Sequence, residues 1–271
     1  MQITDFHTHA FPDALAERAM TTLLAETDDV TAWHDGRLSS LLSSMDRAGI
    51  QRAVVCSIAT KPEQFGKILA WSAEIRSERI VPFPSLHPAD PDPAQRVRDV
   101  AAAGFQGIKL HPYYQDFLLD APALDPVYAA LADCGLMLVC HTGFDVAFPR
   151  TRKADPARIA AVLARHPDLR FIATHLGSWE DWDEVERHLL GRPVYMEISY
   201  SLHILGKERS RELLTGHPRE YVLFGTDSPW QDQSAAVRQL RDLDLGPDWE
   251  RAILSGNAAR LLDPTEDSMI C

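Results

Sequence analysis

The chemistry in this 271-residue chain is carried by a few of its eleven histidines. His7 and His9 form an HxH pair in DFHTHA, His111 closes FQGIKLH, His141 closes LMLVCH, His175 closes RFIATH, and Asp227 follows YVLFGT. Each stands at the end of an apolar or β-branched run of strand length. Neutral imidazole and carboxylate are good ligands for zinc and similar divalent ions. His7, His9, His141 and Asp227 would leave a coordination place for water, with His175 beside them. A lone strand-end histidine reads more simply as a hydrogen-bonded structural residue. Independent structural histidines, however, have no reason to collect on one predicted rim together with a strand-end aspartate.

Such a rim needs a fold that brings strand ends together. Eight runs recur, at residues 3–7, 52–57, 80–86, 105–111, 136–141, 170–175, 193–199 and 221–226. Between them lie helix-like stretches; RLSSLLSSMDRAGI, for example, spaces Leu38, Leu41, Leu42 and Met45 at helical intervals. Several end at Gly or His-Pro, as helices do before a following strand. Strand–helix alternation implies parallel pairing through crossover helices. Eight units in about 250 residues match a closed (β/α)8 TIM barrel, one domain over residues 1–271. The runner-up, a doubly wound open sheet, lacks a GxGxxG or P-loop after the first run. In the barrel the carboxyl ends of all strands surround one mouth, so residues distant in sequence meet there. Period-two parity turns His7 with His9, and Lys109 with His111, to a common side. The segment 10–51 must hold a loop as well as a helix, with Trp33–Gly36 placed to cover the mouth.

Bulk properties narrow the function classes. At 45% hydrophobic and 24% charged residues the chain can bury a real core. A net charge of −12 without clustered Lys or Arg excludes a nucleic-acid backbone as partner. No apolar run approaches the ~20 residues of a membrane span, and no basic-then-apolar leader precedes the first run. Cys56, Cys134, Cys140 and Cys271 have no CxxC spacing. Free thiols and a reducing cytoplasm are the expectation. The expected partner is a small-molecule substrate, with a homodimer compatible with such barrels.

These residues stand in segments that resemble the amidohydrolase superfamily, in particular its amidohydrolase-related branch. The segments are DFHTHAFP, GFQGIKLHP, VCHTG, ATHLGS, LFGTDSPW and ILSGNAARLL, in the family's order and spread over essentially the whole chain. The resemblance implies a (β/α)8 barrel holding one or two divalent ions, zinc foremost and manganese second. It implies His7, His9 and His141 as metal ligands and Asp227 as a ligand or the base that deprotonates water. His175 becomes an acid/base or a ligand of a second ion. Lys109 lies near the place where some relatives carbamylate a lysine to bridge two ions; the simpler reading pairs it with a carboxylate such as Glu197. Ser178 stands where many relatives carry a second glycine. The implied activity is hydrolysis of a small amide, ester or lactone by metal-activated water. The alternative is non-oxidative decarboxylation at the same site.

Substrate contacts should come from the loops after the strands. Arg150 and Arg152 in FDVAFPRTRKADP are placed to clamp a carboxylate, or else form a solvated basic loop. His111 and Trp230 are candidate substrate contacts, and Trp179 and Trp182 candidate walls. Glu197 and Ser199 share parity and face the barrel interior as supporting groups.

Overall fold

In the computed structural model, which describes residues 1–27 and 30–263, all eight expected runs become strands. They are β1 (Ile3–Thr8), β2 (Ile50–Cys56), β3 (Ile80–Phe83), β4 (Gly107–Leu110), β5 (Met137–Cys140), β6 (Arg170–Ala173), β7 (Tyr195–Glu197) and β8 (Val222–Leu223). Pairing is parallel and in chain order, β1 to β3 in one arc and β4 to β8 in another. Backbone hydrogen bonds join the arcs: Lys109 N donates to the Pro84 carbonyl at 2.9 Å at the first seam, and at the second Phe6 N donates to the Phe224 carbonyl at 2.8 Å, Asp227 N to the His7 carbonyl at 2.7 Å and His9 N to the Ser228 carbonyl at 2.6 Å. The first seam is thin for a covalent reason. Pro82 and Pro84 share strand parity, so both missing N–H groups lie on the side that faces β4. The result is the closed (β/α)8 barrel.

A helix follows each strand, the first being Leu38–Ala48 and the last of the eight Gln233–Asp242. Gly49 ends the former at φ 68°, a left-handed turn with open space around it, so backbone freedom alone explains the glycine there. The segment before it differs from expectation, because it holds two helices. An added helix, Asp13–Leu24, lies over the mouth. The Trp33–Gly36 loop is tied to the β8 side of the rim: Trp33 N donates to the Pro229 carbonyl at 2.8 Å, and His34 Nε2 lies 2.9 Å from Ser228 Oγ.

Buried side chains form an inner barrel core and two outer layers between strands and helices. Phe6 and Phe83 meet edge to face in the inner core, with centroids 5.9 Å apart. A Cβ on Gly107 would stand 2.3 Å from the Phe83 ring, so β4 yields its inward volume to that side chain. Ala258, Leu261 and Leu262 from the helix Asn257–Leu262 close the bottom of this core. That leaves the other end for the site. Cys56, Cys134 and Cys140 are free thiols, while Cys271 lies outside the described residues. No described helix is long and apolar enough to cross a membrane.

Candidate active site

β1 presents the two imidazoles of His7 and His9 on one side by period-two parity, and its pairing with β2 is irregular. The register with β2 shifts between Asp5 and Thr8, a bulge that re-aims side chains. Phe6 therefore enters the inner core while the adjacent His7 also points inward and up, which strict alternation would forbid. His7 Nδ1 donates to Glu197 Oε1 at 2.9 Å and His9 Nδ1 to the Cys56 carbonyl at 2.8 Å, tautomers that follow from these acceptors. Both Nε2 lone pairs then face one point with Asp227. His7 Nε2 and His9 Nε2 are 3.2 Å apart, and Asp227 Oδ1 lies 3.3 Å from the first and 3.0 Å from the second. Atoms about 2.0–2.1 Å from one zinc ion have such mutual spacings. The donor set fits a divalent cation.

His141 and His175 form a second pair. His141 Nε2 donates to the Phe144 carbonyl at 3.0 Å, and His175 Nδ1 to the Ser199 carbonyl at 3.2 Å. The remaining lone pairs, on His141 Nδ1 and His175 Nε2, face each other at 3.1 Å. Two opposed lone pairs at that distance call for a proton or a cation between or beside them. His141 is thus apart from the tight trio of His7, His9 and Asp227, contrary to the expected arrangement of all four around one point. The His7 and His175 rings have centroids 5.7 Å apart. Another group, His111, His141 and Asp145, is close-set as well. Its imidazoles are stacked at 4.1 Å with planes 16° apart, so their in-plane lone pairs run side by side instead of converging.

Glu197 is the hub behind both pairs. Fully buried, it accepts from His7 Nδ1, the His175 and Ser199 backbone N–H groups, and Ser199 Oγ. Its oxygens are thereby filled, and Lys109 does not pair with it. Lys109, also fully buried, instead donates from Nζ to His7 Nε2 at 2.9 Å, correcting the expected Lys109–Glu197 pair. Gly225, two residues past the end of β8, leaves room for the carboxylate; a Cβ there would lie 2.1 Å from Glu197 Oε2.

Asp5 was not singled out from the sequence, although it stands two residues before His7. It accepts from Thr226 N at 3.0 Å, Thr226 Oγ1 at 2.6 Å and Gln233 Nε2 at 2.8 Å, locking the turn that presents Asp227. That turn needs a lock, because Asp227 sits at φ 58°, a conformation costly for a residue with a Cβ. His175 and Leu176 are held likewise at φ 58° and 53°. Leu176 N donates to the Glu197 carbonyl at 2.7 Å, and Trp182 Nε1 to the His175 carbonyl at 3.0 Å.

At His7 and His141 the electrostatics favour lone pairs over protons. Burial, followed by the Lys109 ammonium, holds the His7 imidazole well below its ordinary value; burial with His111 and His175 does the same to His141. Burial alone would raise the Asp227 carboxyl, but His7 and His9 outweigh it and hold it well below the usual carboxylate range. A neutral His7 beside an ionised Asp227 suits a divalent ion.

These groups floor a cavity of about 750 Å³ that also takes in Lys109, His111, Trp179 and Trp230. Arg150 and Arg152 are elsewhere. Arg150 pairs with Glu180 and lies 4.1 Å over the Phe144 ring, and Arg152 binds Asp181 through two hydrogen bonds of 2.9 Å. Both are more than half exposed and neither lines the cavity, so the expected carboxylate clamp after β5 is a loop brace. Trp182 backs His175 through its hydrogen bond and is not a cavity wall.

The comparisons agree with this architecture. A curated dihydroorotase from Marinobacter nauticus is 26% identical over 189 residues, 58% of this chain and 54% of its own length; the match spans about half of that relative. Among solved structures, an uncharacterized TIM-barrel protein, Bb4693 from Bordetella bronchiseptica, superposes with a TM-score of 0.74 at 22% identity, covering 97% of this chain and 98% of the other. A 5-carboxyvanillate decarboxylase from Sphingomonas paucimobilis does so with a TM-score of 0.70 at 16% identity, covering 96% and 98%. The family profile described as Amidohydrolase matches residues 4–263, which include every candidate ligand and all of the eight strands but Ile3. With its closed barrel and its histidines on the strand ends, this chain belongs to the amidohydrolase family.

Proposed function

We propose that this protein is a metal-dependent hydrolase acting on the carbonyl of a small amide, ester or lactone. The observation that carries the reading is the convergence of His7 Nε2, His9 Nε2 and Asp227 Oδ1 within 3.0–3.3 Å at the floor of the cavity. His7, His9 and Asp227 would hold one divalent ion, with the His141–His175 pair beside it, and imidazole–carboxylate sets suit zinc or manganese. When bound, such an ion lowers the pKa of water from about 15.7 to about 7 and polarises a carbonyl oxygen. Asp227 enters the reaction ionised and partly open to the cavity, so it accepts the nucleophile's proton and hands it to the leaving group. His175, anchored through Nδ1, offers Nε2 to the substrate's developing oxyanion when that nitrogen is protonated. Glu197 keeps His7 in the one tautomer that leaves Nε2 unprotonated. Lys109 stays an amine in this one-ion reading; as a carbamate it would bridge two.

The same residues support a second reading, non-oxidative decarboxylation, in which the cation grips a substrate carboxylate and a site residue delivers a proton to carbon. The test is a panel of lactones, esters and amides with zinc- or manganese-loaded protein. Asp227→Asn should lower kcat by about 10²–10⁴-fold. Bicarbonate release without consumption of water would transfer the protein to the second class. Turnover that survives both chelation and Asp227→Asn would sink either reading.

A further inference from the structure

We infer that the substrate is an elongated molecule with an apolar body and a terminal carboxylate, and that Arg18 and Lys67 bind that terminus at the cavity mouth. This deepens the hydrolase reading and rests on it only for where the reacting bond lies. Two helices build the mouth wall on the β1–β2 side, and each turns a single stripe inward. From Asp13–Leu24 the lining residues are Leu15, Arg18, Ala19, Thr22 and Leu23, spaced i, i+3, i+4, i+7, i+8. From Phe65–Ile75 and the residue before it they are Gln64, Lys67, Ile68 and Trp71, spaced i, i+3, i+4, i+7. Such spacing is one helix face. Each face is neutral or apolar except for one cation.

Those two cations are unusual in this chain. Lysine and arginine are outnumbered, 27 against 39 acidic residues, and many of the cations are engaged in ion pairs such as those of Arg150, Arg152 and Arg158. Among the described residues neither Arg18 nor Lys67 makes a hydrogen bond or an ion pair. Glu26, two residues past the end of the first of these helices, accepts from the Tyr114 hydroxyl at 2.6 Å. Asp145, the other carboxylate of the lining besides Asp227, lies beside His111 at 3.4 Å and His141 at 3.7 Å. Among the described residues, the lining therefore keeps its acids on other partners and leaves the Arg18 and Lys67 side chains unpaired at the cavity.

Shape agrees with charge. A cavity of about 750 Å³ is far larger than the ligand cluster on its floor needs. Its apolar area is supplied by side chains such as Phe11, Ile58, Ile68, Trp71 and Phe144, walls for a hydrocarbon or aromatic body. Arg18 and Lys67 are exposed, so the anion they receive stays partly hydrated. The contact thus selects an acid over its neutral isostere by about tenfold rather than by many orders.

The test is binding, which needs no turnover. Phenylacetate, phenylbutyrate and phenylhexanoate, each beside its primary amide, are titrated by calorimetry into metal-loaded and chelator-treated protein. At least one acid should bind about tenfold tighter than its amide, in both forms of the protein. The preference should vanish in the Arg18→Gln/Lys67→Gln double variant while amide affinity and metal content stay unchanged. Equal binding of acid and amide overturns the inference, as does binding of neither. A preference that survives in the double variant, or that disappears on chelation, also overturns it, because the carboxylate would then sit on the ion. A protein that takes up no metal yet shows the Arg18- and Lys67-dependent preference removes the hydrolase reading and leaves this one standing.

Discussion

A ligating imidazole is only as well aimed as the group behind it, and here that group is Glu197 for His7 and the Cys56 carbonyl for His9. Glu197 also receives the backbone of His175 and Ser199, so one carboxylate orients both halves of the site. Glu197→Gln keeps the volume but turns an amide N–H toward at least one of these donors. Metal affinity should fall about 10–100-fold, read by competition with a chromophoric chelator, with far-UV circular dichroism unchanged. Unaltered affinity would show that His7 is held without it. HxH, the strand-end histidines and Asp227 were all visible in the sequence. Glu197 was legible as an inward-facing supporting group, but its role as the acceptor behind His7 was not, because a hydrogen bond between residues 190 apart leaves no local spacing.

Glycine separates two causes at the level of elements. At Gly225 a Cβ would meet Glu197 Oε2 at 2.1 Å and His7 Cβ at 3.2 Å, so β7 and β8 must part to admit it. At Gly49 nothing lies within 4 Å, and only the positive φ resists a side chain. Gly225→Ala should therefore cost about 1–3 kcal/mol or more in denaturant unfolding and should weaken metal binding. Gly49→Ala should cost about 1–2 kcal/mol and leave the site untouched. Equal behaviour of the two variants would refute the packing argument. The strands themselves were legible because every one is a short apolar run. The helix Asp13–Leu24 was less so: its mixed sequence faces a cavity rather than a continuous core, and its purpose emerges only when that cavity exists.

Across the whole molecule, four buried histidines destabilise the fold as pH falls, outnumbering the buried Asp5 and Glu197, whose carboxyls burial pushes up, Asp5 to about 7, with the opposite sign. His217 is buried, donates from Nε2 to the Val194 carbonyl at 2.9 Å, and is held below its ordinary value mainly by burial. Burial does the same to His7, His111 and His141. A group whose folded value is depressed binds its proton more readily in the unfolded chain. Its stabilisation is complete above the unfolded value of about 6.5 and is lost as pH falls through the folded value. Each such histidine steepens the loss by up to about 1.4 kcal/mol per pH unit. Urea unfolding of chelator-treated protein should show stability falling as pH drops from about 7 to about 5, in the window below the unfolded value. In His217→Gln the slope should be shallower by about one histidine's share. A stability flat across that range would contradict the buried neutral state.

Alternation of apolar runs with helical periods was enough to specify eight parallel strands in a closed barrel. Chemically apt residues at the run ends marked the rim, because strand length and side-chain type are local properties. Which groups touch was decided by long-range geometry. The β1 bulge let adjacent Phe6 and His7 both point inward. Left-handed backbone at His175 and Asp227 re-aimed side chains that strand parity alone would have misdirected. The filled oxygens of Glu197 sent Lys109 to His7, and local carboxylates drew Arg150 and Arg152 away from the mouth, which was left to Arg18 and Lys67. Local pattern encodes elements; partner choice depends on the competition among all groups that the closed barrel brings within reach.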